Sequence, residues 1–291
     1  MDSLWHAIGH AFKHISMKPE SHTQRWFGFY ASASLFACVL SVLLVATSLA
    51  PRTHQPDMSV PILMYHHVGD WGAANPVWAP YVVKPQEFAR QLDWLAAHQF
   101  HTITFQELLA YQSNNVRPPA HSVILTFDDG WAEDVDIAKK FLAPRGMRGV
   151  FFVYTGAVAE QDNGSGYVSW NQVRQLEEAG EEVQSHTVSH ASLDTLAPSR
   201  LEFEMINSRD TMQAHVGHAV EVLAYPFGHH DERVIRATRD AGYKLGIAAD
   251  DEIVAVEPRG EWGNFQMRRF KVAYGDGIDV FAARMAEHAQ K

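Results

Sequence analysis

Read for apolar and polar positions alone, the 291-residue chain falls into two unlike parts. Residues 27–50 carry no charged side chain, whereas from Val60 onward short apolar runs alternate with stretches whose apolar residues recur every third or fourth position. At about 1.5 Å per helical residue the first run spans the roughly 30 Å hydrocarbon layer of a bilayer, so it reads as a transmembrane helix. The second part reads as strands followed by helices. Strands are predicted at Val60–Tyr65, Ser122–Phe127, Gly149–Val153, Val183–Ser185, Val222–Tyr225, Leu245–Ala248 and Met267–Val272. Pro85–His98 is a helix with Phe88, Leu92 and Leu95 inward and a proline in its first turn. Thr104-Phe105-Gln106-Glu107 is a capping box opening a second helix. Further helices are predicted at Glu133–Ala143, from Ser169 to a stop at Gly180, at Ser199–His215 and at Asp231–Ala241. Regular β–α alternation implies a parallel sheet or barrel with helices outside.

These patterns give four segments: a cytoplasmic tail (1–26), a signal-anchor helix (27–50), a linker (51–59) and one catalytic-sized domain (60–291). Lys13, Lys18 and Arg25 precede the apolar run and only Arg52 follows closely, so the positive-inside rule puts the tail in the cytoplasm. The expected location is the inner (cytoplasmic) membrane, single-pass, with the domain periplasmic or extracellular. Ser48-Leu49-Ala50 also fits a signal-peptidase site, but Pro51 directly after it should hinder cleavage. A formal net charge of −10 argues against a nucleic-acid partner. The single cysteine, Cys38, excludes an intramolecular disulfide.

In parallel β/α architectures the carboxyl ends of strands build the active site. Four predicted strands end in unusual groups: His66-His67, Asp128-Asp129-Gly130, His186-Thr187-Val188-Ser189-His190 and Pro226-Phe227-Gly228. His-x-x-x-His brings two imidazoles within reach of one ion, and a carboxylate supplies a third ligand while leaving positions open. The neighbouring carboxylate is free to take a proton from the attacking water. Asp-Asp-Gly alone is often only a turn, and His-x-x-x-His arises by chance in a chain with 17 histidines; together, each at a strand end, they point far more strongly to a catalytic metal site.

Thr126-Phe127-Asp128-Asp129-Gly130, His186-Thr187-Val188-Ser189-His190 and Tyr225-Pro226-Phe227-Gly228 resemble, in order, the three leading motifs of the polysaccharide deacetylases of carbohydrate esterase family 4, the NodB-type domain. The resemblance covers roughly residues 60 to 275. It implies a distorted (β/α) barrel of about seven strands. It implies Asp128 as general base, Asp129, His186 and His190 as metal ligands, and an oxyanion site around Tyr225 and Phe227. The implied cofactor is a divalent metal, zinc foremost, with nickel, cobalt or iron open. Ala224 stands where many members have a supporting arginine, and no late leucine-x-histidine supplies an acid. Both departures match the poly-β-1,6-N-acetylglucosamine deacetylase branch, which looks circularly permuted. Met64-Tyr65-His66-His67-Val68 resembles its opening motif, making His66 the acid with His67 in reserve, and Met267-Arg268-Arg269-Phe270 resembles its late strand, making Arg269 the support for Asp128.

The expected reaction is removal of N-acetyl groups from an extracytoplasmic polysaccharide, with poly-β-1,6-N-acetylglucosamine the expected substrate. Peptidoglycan, chitin-like oligomers or an O-acetylated glycan are alternatives. A non-catalytic glycan-binding pseudoenzyme and an iron oxygenase are rivals of other classes. Trp71, Trp78, Tyr81 and Trp131 sit on loops, where aromatic faces can stack on sugar rings or simply pack the rim.

Overall fold

The computed structural model describes residues 60–71, 76–249, 263–273 and 275–289. Seven parallel strands dominate it: β1 (Ile62–Tyr65), β2 (Ser122–Phe127), β3 (Val150–Val153), β4 (Glu182–Ser185), β5 (Val222–Ala224), β6 (Leu245–Ile247) and β7 (Phe270–Lys271). Their spatial order is β7-β1-β2-β3-β4-β5-β6, so the domain's first and last strands are neighbours. A further short strand, His101–Thr102, pairs with the start of β2.

One extended run links the two edges of this curved sheet. Met267 bridges Ile247 of β6, and three residues later Phe270 and Lys271 pair with Leu63 and Met64 of β1. Met267 N–H donates to Gly246 O at 3.0 Å and Val272 N–H to Met64 O at 2.9 Å. The expected Met267–Val272 strand is thus divided between two neighbours, which gives the barrel its distortion.

Side chains alternate across each strand with a period of two, which sorts the apolar residues into two cores. Leu63, Leu125, Phe127, Phe151, Val183 and Leu223 pack outward against helices. Ile62, Ile124, Val150, Phe152, Val222, Leu245 and Met267 fill the barrel interior, and Phe105 and Leu108 plug its floor. The inward series then runs out of apolar residues at the mouth. Ile62-Met64-His66, Ile124-Thr126-Asp128, Val150-Phe152-Tyr154 and Gln184-His186 each finish with a polar group at the cavity.

Helices cover the outside: α1 (Pro85–Ala97), α2 (Phe105–Ser113), α3 (Asp134–Ile137), α4 (Trp170–Glu178), α5 (Pro198–Val216), α6 (Glu232–Asp240) and α7 (Ile278–Ala289). Thr104 and Ser169 form the reciprocal bonds of capping boxes with Glu107 and Gln172. The helix expected over Glu133–Ala143 stays α-helical only to Ile137 and then widens into a π turn over Ala138–Leu142. Pro144 follows, and its ring blocks a regular α-helical approach to the preceding turn. The predicted tail, anchor helix at 27–50 and linker lie outside the described residues. Among the described residues no helix is long and apolar enough to cross a membrane.

Candidate active site

The mouth of the barrel opens into a cavity of about 590 Å³ lined by His66, Asp128, Asp129, His186, His190 and a set of aromatic rings. Backbone strain concentrates here. Of the seven non-glycine residues with positive φ among the described residues, four are Asp129 (81°), Thr187 (74°), His190 (56°) and Phe227 (60°). Such conformations persist where the surroundings over-determine them, and they gather at functional sites.

Each motif shows how the strain is held. After β2 the left-handed Asp129 and Gly130 turn the chain sharply, leaving Asp128 against Arg269 and Asp129 against His186 and His190 after β4. Gly130 is required by space as well, because a Cβ there would lie 2.9 Å from Val153 Cγ1. The loop of the second motif is gripped by the buried Glu204 of α5. Its carboxylate accepts from Val188 N–H (2.8 Å), Ser189 N–H (2.9 Å) and Ser189 Oγ (2.6 Å), and Arg200 balances its charge at 2.6 Å.

Asp129, His186 and His190 each offer one ligand atom, all within 4.8 Å of one another. The imidazole Nε2 atoms of His186 and His190 lie 3.5 and 3.2 Å from Asp129 Oδ1. That oxygen is buried and makes no hydrogen bond. His186 Nδ1 lies 2.8 Å from Ala224 O, a contact that requires the proton on Nδ1 and leaves Nε2 as a bare lone pair. An orphaned carboxylate oxygen and two imidazoles at this spacing fit a divalent cation with three protein ligands and open positions.

Asp128 is gripped differently. Arg269 donates to Oδ1 at 2.6 Å and to Oδ2 at 2.7 Å, and its other bonds reach Ala248 O (3.0 Å) and Thr126 Oγ1 (3.1 Å). Burial alone would raise the Asp128 pKa; the guanidinium charge, helped by His186 and the paired hydrogen bonds, reverses this and holds it below the ordinary value. The arginine expected to support the base is therefore in contact with it.

His66 lines the cavity, edge-on to Tyr81 at 4.9 Å, and its buried Nδ1 has no partner. Burial pushes its pKa down, against the opposing pull of Asp128 and Asp129. His67, the reserve acid, points away: Nδ1 meets Glu133 Oε1 at 3.0 Å, and the ring packs against Trp71 (4.8 Å) and Trp131 (4.3 Å). It is a packing residue, because strand alternation puts neighbours on opposite faces.

Tyr225 and Phe227 divide in the same way. Tyr225 is fully buried, donates its hydroxyl to Phe265 O (3.0 Å) and its N–H to Ile247 O (2.9 Å), and so contributes cavity shape rather than a free donor. Pro226 has no N–H, which leaves Phe227 N–H as the amide of this motif available for an oxyanion. Of the loop aromatics singled out by sequence, Trp78, Tyr81 and Trp131 line the cavity and Trp71 does not. Tyr154, Tyr167 and Lys271 also line it without a role assigned from sequence, and so does His229, whose place directly after the third motif makes it a candidate cleft residue. Tyr154 was findable, since it stands two residues beyond the inward-facing Phe152 on β3.

Comparison with known proteins agrees with this geometry. Residues 115–246 match the family described as polysaccharide deacetylase. The chain is 24% identical over 237 residues to YxkH of Bacillus subtilis (strain 168), named as a polysaccharide deacetylase, covering 81% of this chain and 79% of that one. It is also 24% identical over 188 residues to the poly-beta-1,6-N-acetyl-D-glucosamine N-deacetylase of Staphylococcus aureus (strain MRSA252), a match spanning 60% of this chain and 63% of that relative. The fold is shared with the Streptococcus pyogenes deacetylase PplD, solved in complex with acetate, at a TM-score of 0.70 and 23% identity, covering 78% of this chain and 98% of that one. Residues 115–246 thus carry a polysaccharide deacetylase domain, and most of the chain is similar in sequence and fold to deacetylases.

Proposed function

We propose that the chain is a divalent-metal-dependent N-deacetylase of an extracytoplasmic polysaccharide, with poly-β-1,6-N-acetylglucosamine as its substrate. The observation that carries this reading is the meeting, at one barrel mouth, of the Asp129–His186–His190 triad, an arginine-clamped Asp128, and His66 directly after the first strand. The placement of His66 directly after β1 and of Arg269 directly before the neighbouring β7 supports the β-1,6-linked substrate, as does similarity to the S. aureus protein named for that glycan. Exposed Trp78 and Phe227 at the rim provide apolar faces for sugar rings.

Asp129, His186 and His190 would hold the cation, which when bound supplies Lewis-acid polarisation of the acetyl carbonyl and acidifies the attacking water. Asp128 takes a proton from that water as its oxygen bonds to the acetyl carbon. Phe227 N–H donates to the developing oxyanion. The C–N bond then breaks and His66 gives a proton to the departing amine, so acetate and a free amino sugar leave. Burial lowers the His66 pKa overall, and the carboxylates of Asp128 and Asp129 oppose that shift in the direction of the protonated imidazole that this last step needs.

Acetate release tests the reading. Purified chain loaded with zinc, cobalt or nickel is expected to release acetate from β-1,6-linked N-acetylglucosamine oligomers faster than from chitin oligomers, peptidoglycan fragments or O-acetylated glycans. Turnover confined to the O-acetylated glycans, or glycan binding with no turnover under any metal, would overturn it. The same proposal places the domain outside a membrane on the 27–50 helix. Protease added to intact spheroplasts should digest it, and a mature N-terminus at Pro51 or Arg52 would remove the anchor.

A further inference from the structure

The active-site wall continues past the metal ligands through two more rings. His190 meets Phe227 at 4.7 Å between centroids, and Phe227 meets His229 at 5.9 Å. His229 therefore sits one aromatic ring further along the cavity than the histidines of the second motif, and it lines that cavity. Its orientation is set by a chain of polar contacts. His229 Nδ1 lies 2.8 Å from Ser192 Oγ, and Ser192 Oγ donates to Asp194 Oδ1 at 2.7 Å.

That chain has a direction. An ionised carboxylate only accepts, so Asp194 takes the one hydroxyl proton of Ser192. Ser192 Oγ must then accept from His229, which puts the imidazole proton on Nδ1. In the neutral ring Nε2 is a bare acceptor. Both supporting segments are tied down. Ser192 O accepts from Thr195 Oγ1 at 2.7 Å, and Arg233 of α6 donates to Asp194 O at 2.8 Å and to Leu196 O. On the other side, Gly228 packs so closely that a Cβ would lie 2.7 Å from Ala249 N, at a φ of +72°.

We propose that His229 is a substrate-positioning residue whose Nε2 accepts a hydrogen bond from a hydroxyl of the sugar next to the one being deacetylated. It is a reader of the chain flanking the reaction, held by Ser192 and Asp194, and takes no part in bond breaking. This inference rests on the glycan-deacetylase reading above.

Steady-state acetate release by the detergent-solubilised full chain from a β-1,6-linked N-acetylglucosamine tetramer tests it. One neutral hydrogen bond predicts that His229→Ala raises KM about five-fold while kcat moves by less than about two-fold. Ser192→Ala frees the ring to turn and should share part of the KM increase; His229→Gln, whose amide oxygen restores an acceptor, should recover most of it. An unchanged KM in His229→Ala with the wild-type chain active overturns the assignment to His229 alone. A fall in kcat at constant KM overturns it too, since His229 would then act in the chemistry. A wild-type chain that holds metal yet releases no acetate from the tetramer sinks the substrate reading, and this inference with it.

Discussion

Buried carboxylates occupy both ends of the barrel, and the protein treats them in opposite ways. At the floor, Glu181 and Glu182 are 4% exposed, as buried as Asp128 at the mouth with 3%. Glu181 accepts from Gly149 N–H at 2.5 Å, and Glu182 accepts from Gln106 N–H (3.1 Å) and Gln184 Nε2 (2.7 Å). These acids serve main-chain amides that begin β3 and α2. Burial outweighs those bonds and raises both pKa values, that of Glu181 to about 7. At the mouth, Asp128 is pinned in its charged form by a guanidinium, and Asp129 keeps an oxygen with no hydrogen bond beside the two imidazoles. The floor thus uses carboxylates to complete the fold, where a proton is tolerable. The mouth keeps negative charge facing open space, which is the condition for holding a cation and moving a proton.

Substitutions can break this contrast, and the largest effect is expected at the triad. Asp129→Ala or His186→Ala should reduce bound metal from about one ion per chain to near none and abolish acetate release. Metal analysis of the purified variants checks this, and unchanged content in His186→Ala would falsify the assignment. Next come Asp128→Asn and His66→Ala, which should each lower kcat by ~10²–10⁴-fold while metal content holds. If His67→Ala loses rate and His66→Ala does not, the acid has been placed one residue early.

Arg269→Leu leaves Asp128 buried without its counter-charge and should lower unfolding free energy by about 3–5 kcal/mol in urea titrations. Adding Asp128→Asn should recover part of that loss, because the uncompensated charge is gone. A fully additive double variant would show that the pair is not coupled.

The smallest effect is at the floor. With its pKa raised from 4.5 to about 7, Glu181 keeps a proton in the folded chain that it loses on unfolding. Its stabilising contribution is complete below pH 4.5 and is lost as pH rises through 7. Glu181→Gln should therefore stabilise the protein by about 1–3 kcal/mol at pH 8 relative to its effect at pH 4.5. An equal shift in Tm at both pH values would contradict the linkage.

Much of this site was legible because strand ends mark it. Ser122–Phe127 has the bounds its sequence predicts, since an apolar run there meets Asp128-Asp129-Gly130, and the grouping of Asp129, His186 and His190 follows from the placement of their motifs. The role of Arg269 came from resemblance, and only the structure shows that it spans 141 residues to reach Asp128. What sequence could not give was tertiary. Nothing local says that Glu204 holds the second-motif loop, or that Ser192 reaches His229 across 37 residues. His66 and His67 are chemically identical neighbours, and only the strand's facing separates cavity from packing.

The pairing of β7 with β1 also governs when the protein becomes an enzyme during synthesis. Contacts of such sequence separation form slowly, because chain entropy is lost before they reward it. A nascent chain that has emerged through β6 already carries His66, Asp128, Asp129, His186 and His190, but β1 and β6 are still open edges and Asp128 lacks its arginine. Of the sheet-forming segments, residues 267–272 arrive last, and together they pair with both edges and deliver the guanidinium. Completion of the sheet and arrival of the arginine beside Asp128 therefore coincide, so a domain synthesised only through β6 has neither.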